Sequence, residues 1–131
     1  MMKEDAKPSL ILIRGLPGSG KSTIASKMIG YKHVEADMYF VKNGVYTFEP
    51  NRLQQAHDWC YAQVAKALKA GCKVVIANTF VRRSEVEPYV GLANSLGVGY
   101  QVVHASGVWQ SIHNVPAVTV ERMRDRWETL E

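Results

Sequence analysis

Eight residues carry the clearest chemistry in the chain: Gly15-Leu16-Pro17-Gly18-Ser19-Gly20-Lys21-Ser22. They fit the spacing G-x-x-x-x-G-K-[ST] at every fixed position, with Thr23 following. Gly15, Gly18 and Gly20 let the main chain turn through conformations that a side chain forbids. Consecutive N–H groups in such a turn point inward and form an anion-binding nest. A helix that starts there adds its positive end. Lys21 can then reach the β- and γ-phosphates of a nucleoside triphosphate, and Ser22 can offer its hydroxyl to Mg²⁺. Pro17, Ser19 and Thr23 complete the phosphate-binding segment. The expected ligand is ATP with Mg²⁺.

A phosphoryl-transfer enzyme also needs a group that takes the acceptor's proton. Asp37 is the first choice, because it follows the second expected strand at the carboxyl edge where sheets of this kind hold ligands. Glu35 ranks second, since alternation along a strand points it the same way as Asp37 but leaves it within the sheet. Asn78 and Thr79 end the third strand and could meet the acceptor or serve the turn. Arg82 and Arg83 follow them, and a guanidinium there could grip a phosphate through two hydrogen bonds. His33, His57, His104 and His113 have no metal-ligand spacing and read as structural or surface residues.

These residues need a frame. Residues 9–14 (SLILIR) read as a buried strand, Lys21 to Ile29 as a helix stopped by Gly30, and residues 32–36 as a second strand. Asn43-Gly44 suggests a small hairpin between 39–41 and 45–46. Residues 52–70 form the most regular helical pattern, with Asn51 as its expected cap and Gln54 three residues on. Lys73 to Ala77 reads as a buried strand. Ser84 to Leu96 reads as a helix with a Ser84–Glu87 capping box and Pro88 in its first turn. Residues 99–104 read as a fourth strand, 106–118 as irregular, and 119–130 as a last helix. The alternation implies an α/β, three-layer P-loop NTPase fold: a small, about four-stranded parallel sheet flanked by helices.

Composition narrows the class. The chain has 131 residues, the size of one domain, so residues 1–131 are expected to form one unit. Hydrophobic residues make up 47%, enough for an ordinary globular core. The longest apolar run, Leu10 to Ile13, is far below the roughly 20 residues of a membrane span. The opening MMKEDAKPSL lacks the apolar stretch of a secretion signal, so a cytoplasmic or similarly reducing location is expected. Cys60 and Cys72 lie in apolar neighbourhoods and read as two reduced core thiols. The formal net charge of +4 suits a polyanionic ligand.

The segments GLPGSGKST, EADMYF, VVIANT, SEVEPY and VPAVTVERMRDRWE together resemble the polynucleotide-kinase-like P-loop ATPases. That group includes bacteriophage 5′-polynucleotide kinases and small viral and cellular AAA-domain ATP-binding proteins. The resemblance spans nearly the whole chain. It implies a kinase-type P-loop sheet, with Lys21 and Ser22 matching the ATP and Mg²⁺ residues and Asp37 matching the base that deprotonates a 5′-hydroxyl at a nucleic-acid end. Asn78 and Thr79 match a segment near acceptor and metal. Three departures stand out. Phe40 takes the place of an arginine that holds acceptor phosphate in the group. Ala77 stands where an aspartate is common. The candidate lid, residues 106–118, carries no lysine or arginine. A kinase for a small nucleoside, nucleotide or other metabolite, and a nucleotide-binding module with little turnover, are the competing readings.

Overall fold

The structure is a computed structural model, and it describes residues 8–105 and 122–129. Four parallel strands make the main sheet: β1 (Leu10–Arg14), β2 (Tyr31–Val34), β5 (Lys73–Asn78) and β6 (Tyr100–His104), in the order β2-β5-β1-β6. A two-stranded antiparallel ladder, β3 (Val41–Lys42) with β4 (Val45–Tyr46), forms a separate hairpin closed by Asn43 and Gly44, both at positive φ.

The central strands are buried on both faces, which is why they read as unbroken apolar runs. Alternation divides each run between two cores. Leu10 and Leu12 of β1 with Val74 and Ile76 of β5 join the larger core, under helices α2 (Leu53–Lys69) and α3 (Arg83–Leu96). Ile11, Ile13, Val75 and Ala77 join the smaller core, against α1 (Lys21–Ser26). Helices therefore cover both faces, as the three-layer expectation requires. Each fully buried Leu, Ile or Val contributes about 1.5–3 kcal/mol, so these two strands dominate the core.

Strand order fixes where a ligand can bind. The chain leaves β1, passes over β5 to reach β2, returns to β5, and crosses to the other side of β1 for β6. That reversal opens a crevice beyond the carboxyl ends of the strands. The segments that emerge there are 15–20, 35–40, 79–82 and Ala105.

Several boundaries differ from the sequence reading. Helix α1 ends at Ser26 rather than Ile29, because Lys27 and Met28 close onto Ile24 and Ala25 in a tight turn that leads into Gly30 at φ 87°. Strand β2 ends at Val34, and Ala36–Phe40 forms a 3₁₀ turn. Asn51 does not cap α2. It lies inside a short 3₁₀ turn, Pro50–Arg52, and no side chain caps the helix that follows. The Ser84–Glu87 box is not formed either. Helix α3 begins at Arg83, so Pro88 falls in its second turn, and Glu85 instead accepts the Val81 N–H at 2.9 Å. Cys60 is buried but Cys72 is exposed, so only one of the two thiols is a core residue. Of the expected last helix, residues 122–125 are helical but 126–129 are not, since Glu128 gives its N–H to the Val81 carbonyl at 2.9 Å; residues 119–121 and 130 and the candidate lid lie outside the described residues.

Arg14, the last residue of β1, is fully buried, and among the described residues no carboxylate pairs with its guanidinium. Its Nε and Nη2 donate to the carbonyl of Phe80 (3.0 and 2.7 Å), and Nη2 also donates to those of Val81 (3.2 Å) and Glu128 (2.7 Å). The Trp127 ring lies 3.9 Å from the guanidinium carbon, within cation–π range. Burial lowers the Arg14 pKa from its usual value, while Glu85 and Glu128 oppose that shift. Phe80 holds positive φ (49°) while fully packed in the core, and the Arg14 bonds oppose relaxation of that turn.

Arg14→Met retains an apolar stem but strips the donors from three carbonyls. Leaving buried acceptors unpaired costs about 1–3 kcal/mol each. The expected loss is on the order of 3 kcal/mol in urea unfolding, with residues 122–129 becoming sensitive to limited proteolysis. A loss within about 0.5 kcal/mol would show that the guanidinium does not hold these segments.

Candidate nucleotide and acceptor site

The Gly15–Ser22 segment joins β1 directly to α1. Gly18 and Gly20 sit at φ 81° and 93°, in the region glycine enters at no steric cost. Gly20 is the residue before the helix, and Ile24 N–H closes the first turn onto its carbonyl at 3.0 Å. Gly15 is needed for a different reason. A Cβ there would drive into the Ser19 hydroxyl and stand 2.8 Å from the carbonyl oxygen of Ala105. The loop therefore lies hard against the end of β6.

Three observations fit this segment to a polyphosphate. Ser19 Oγ is buried and makes no hydrogen bond. Lys21 Nζ bonds only a carbonyl of the loop itself, Leu16 O at 3.1 Å, so an incoming anion oxygen can replace that weak partner. No acidic residue occupies the first turn of α1. Burial lowers the Lys21 pKa, and the charges of Glu35 and Asp37 counter it. Gly15, Gly18, Ser19, Gly20 and Lys21 can thus cradle phosphates. Ser22 is placed to hold a divalent cation, which would supply charge neutralisation on the phosphate oxygens. Pro17 borders the cradle half-buried, and Thr23 is exposed on α1.

Glu35 was the second-ranked carboxylate from sequence, yet it makes the closest approach to the loop. It is 8% exposed, and its Oε2 accepts hydrogen bonds from Ser22 Oγ at 2.6 Å and His33 Nε2 at 2.5 Å. Burial alone would raise its pKa. The bonds from His33 and Ser22, with the charges of His33 and Lys21, outweigh burial and hold it below the usual carboxylate value. The signal in the sequence was the polar pair His33 and Glu35, two apart at a strand end, whose shared direction holds only up to Val34.

Asp37 is the second residue of the 3₁₀ turn rather than the end of β2. It is half-buried, and Tyr46 Oη of the hairpin donates to its Oδ1 at 3.2 Å. Burial pushes the Tyr46 hydroxyl up to about 12, helped by the charge and bond of Asp37, so Tyr46 remains a donor across ordinary pH. Asn78 holds the turn from behind: its Oδ1 accepts the Ala36 N–H at 2.9 Å and its Nδ2 faces Cys60 Sγ at 3.7 Å. Thr79 is half-buried at the same edge, and its carbonyl accepts the Gly15 N–H at 3.3 Å. Both residues expected near the acceptor therefore pin neighbouring loops together.

The arginines separate. Arg83 donates from its main-chain N–H to Glu128 Oε1 (2.8 Å) and from Nε to Thr129 O (3.0 Å), fastening the C-terminal segment. Arg82 is exposed just before α3. Phe40 is buried, filling core space. Charged groups reappear nearby: Lys42, Arg52 and Glu49 line a pocket with Tyr39, Phe40 and Thr47 beside the hairpin, and Glu49 stands 3.7 Å from Arg52. Among the described residues, no cluster of three or more His, Cys, Asp or Glu could hold a metal by itself, and no helix is long and apolar enough to cross a membrane.

The contact of Gly15 with Ser19 and Ala105 yields a test. Gly15→Ala should destabilise the fold by about 1–3 kcal/mol, the range for overpacking. Adding Ser19→Gly should recover only part of that loss in thermal or urea unfolding, because the Ala105 carbonyl still blocks the new methyl. Full recovery would mean that the Ala105 backbone imposes no constraint.

Comparison with known proteins agrees with this geometry. Residues 10–107 match the AAA domain family. The chain is 33% identical over 132 residues to an uncharacterized protein, PM0531, of Pasteurella multocida, covering 88% of this chain and 74% of that one. It is 37% identical over 89 residues to the human NEDD4-binding protein 2, and 29% identical over 106 residues to a putative bifunctional polynucleotide kinase/RNA ligase of Autographa californica nuclear polyhedrosis virus. Those matches cover 64% and 70% of this chain but only 5% and 15% of the longer proteins. Among solved structures, a gluconokinase from Sinorhizobium meliloti superposes with a TM-score of 0.60 at 15% identity, covering 93% of this chain and 76% of that one. A chain of a Pnkp1/Rnl/Hen1 complex superposes with a TM-score of 0.59 at 21% identity, covering 98% and 43%. With its glycine-rich loop between β1 and α1 and the sheet order of P-loop kinases, the chain belongs to the AAA domain family of P-loop, kinase-like proteins.

Proposed function

We propose that this chain is an ATP-dependent phosphotransferase that passes the γ-phosphoryl group of Mg²⁺·ATP to a hydroxyl, with the 5′-hydroxyl of a nucleic acid as acceptor. The observation that carries this reading is an anion cradle after β1 and a carboxylate after β2 at the same sheet edge, on either side of the end of β5. Asp37 lies near enough to Lys21 for its charge to act on the ammonium, yet stands on a different loop. In this arrangement Lys21 and the Gly15–Gly20 amides bind the triphosphate, and Ser22 holds the cation. Asp37 accepts the proton of the attacking hydroxyl, with Tyr46 fixing the orientation of its carboxylate. Catalysis is then mainly positioning and charge neutralisation.

The acceptor class rests on the surface beside Asp37. Val41, Val45 and Phe48 are exposed apolar side chains on and beside the hairpin, and Lys42 and Arg52 line a pocket there with Tyr39 and with Glu49, which stands 3.7 Å from Arg52. A mixture of aromatic faces and basic groups suits the bases and phosphates of a single strand. The relatives point the same way only in part: the baculovirus protein is named for polynucleotide kinase activity, and the gluconokinase for a small sugar acid. A structure of an AvrRxo1-ORF1:-ORF2 complex with ATP, which superposes with a TM-score of 0.53, supports ATP as the donor. A metabolite acceptor is the second reading, favoured by the buried Phe40 where an acceptor-holding arginine was expected.

Incubation with γ-labelled ATP and Mg²⁺ separates these readings. Label is expected on 5′-hydroxyl oligonucleotides and not on nucleosides or sugar acids. Label on the small molecules alone would replace the acceptor, and binding of ATP without transfer to any of them would reduce the protein to a nucleotide-binding module. Lys21→Ala should abolish nucleotide binding. Asp37→Asn should bind ATP normally but lower transfer at least about 100-fold, the usual weight of a general base. Transfer at the wild-type rate would remove Asp37 from that role.

A further inference from the structure

A carboxylate beside a polyphosphate site needs an explanation. Glu35 is nearly buried, and its Oε2 accepts from both Ser22 and His33. A carboxylate there faces every anion that enters the Gly15–Lys21 cradle, and a cation between the two negative groups would relieve that opposition. The usual source of a second negative group here, a carboxylate at the end of β5, is missing: that strand closes with Ala77 and Asn78, and Asn78 is occupied by Ala36 and Cys60.

We propose that Glu35 is the positioning carboxylate for the divalent cation of this site, acting through Ser22. A serine hydroxyl has one proton and two lone pairs. By taking the proton of Ser22 at 2.6 Å, Glu35 turns the lone pairs of Oγ away from itself, free for a cation. It also makes the hydroxyl a better ligand and adds negative charge beside the metal. His33 fixes the carboxylate in turn, since its Nε2 donates to the same Oε2. The chain Ser22–Glu35–His33 is thus an outer layer of a metal site, the layer whose loss typically weakens metal affinity about 10–100-fold. The inference rests on the reading of the loop as an ATP site.

Calorimetry on the full chain tests it, with ATP titrated in Mg²⁺ and again in EDTA. A metal-positioning role makes the two conditions respond in opposite directions. Glu35→Gln should weaken ATP binding in Mg²⁺ at least about tenfold, the lower end of that range. The same variant should bind ATP in EDTA as tightly as the wild type or more tightly, because a repelling charge is gone. Mn²⁺ titrated into the ATP complex and followed by electron paramagnetic resonance should show the same loss. Combining Glu35→Gln with Ser22→Ala should weaken Mn²⁺ binding little further than Ser22→Ala alone, since both act at one ligand. A packing role would weaken both conditions equally, so an unchanged ratio of the two affinities overturns the proposal while leaving the ATP reading intact. Additive losses in the double variant overturn it as well. A wild-type chain that binds no nucleotide in either buffer overturns both.

Discussion

A buried positive charge at the end of the central strand holds the binding edge together. Arg14 precedes Gly15, so whatever fixes Arg14 fixes the start of the phosphate loop. Its guanidinium takes the carbonyls of Phe80, Val81 and Glu128, and its own carbonyl accepts the Ala105 N–H at 2.8 Å. One residue thereby joins the loop after β5, the end of β6 and the C-terminal segment. An isolated buried charge is costly, and here carbonyl dipoles and the Trp127 face replace the hydration it loses. Nη1 still lacks a partner, so the satisfaction is incomplete. Arginine suits this role through its rigid plane, whose Nε and Nη2 share the Phe80 carbonyl while its face lies against Trp127.

From that fixed edge the site acquires its balance of charge. Main-chain amides, Lys21 and the end of α1 attract anions, while Glu35 and Asp37 repel them. The two carboxylates differ in surroundings and so in the work they can do. Glu35 is nearly buried, doubly hydrogen-bonded and held in its ionised form. Asp37 is more open, on a 3₁₀ turn that Asn78 tethers at Ala36 and Tyr46 steadies from the hairpin. A group that must exchange a proton with an incoming hydroxyl needs access, and Asp37 has it. A group that must stay charged beside a cation needs shelter and donors, and Glu35 has those.

The parts of the fold that could be read in the sequence were those governed by local rules. The runs at Leu10–Ile13 and Lys73–Ala77 are buried on both sides, and continuous apolar character reports that directly. The glycine pattern forces one loop shape between a strand and a helix, so the course of that loop was legible. What escaped were contacts between residues that sequence does not relate. Arg14 meets Phe80 across 66 positions, and nothing near either residue announces it. The ranking of Glu35 below Asp37 assumed that strand alternation ran to residue 37, but the strand ends at Val34: Glu35 stays extended on the side of His33, while Asp37 falls inside the 3₁₀ turn. The capping residues failed for a related reason. Asn51 and Ser84 have good capping chemistry, yet a 3₁₀ turn and an earlier helix start place other residues at the two caps.

Phe40 shows how aromatic packing sets the surroundings of a carboxylate. Phe40 is buried in the larger core and packs edge-to-face on Tyr39, Tyr46 and Phe48, with ring centroids 5.4, 6.4 and 5.2 Å away. An arginine at that position would have to leave this cluster, and the cluster is what seats the hairpin against the turn that carries Asp37. The protein therefore gains a stiff platform for Asp37 and gives up a cation at the point nearest to it. Lys42 and Arg52 line a pocket beside the hairpin, where Glu49 stands 3.7 Å from Arg52 and offsets part of its charge. The aromatic packing thus sets what stands beside Asp37: a stiff apolar platform, with the basic groups displaced toward exposed Val41, Val45 and Phe48.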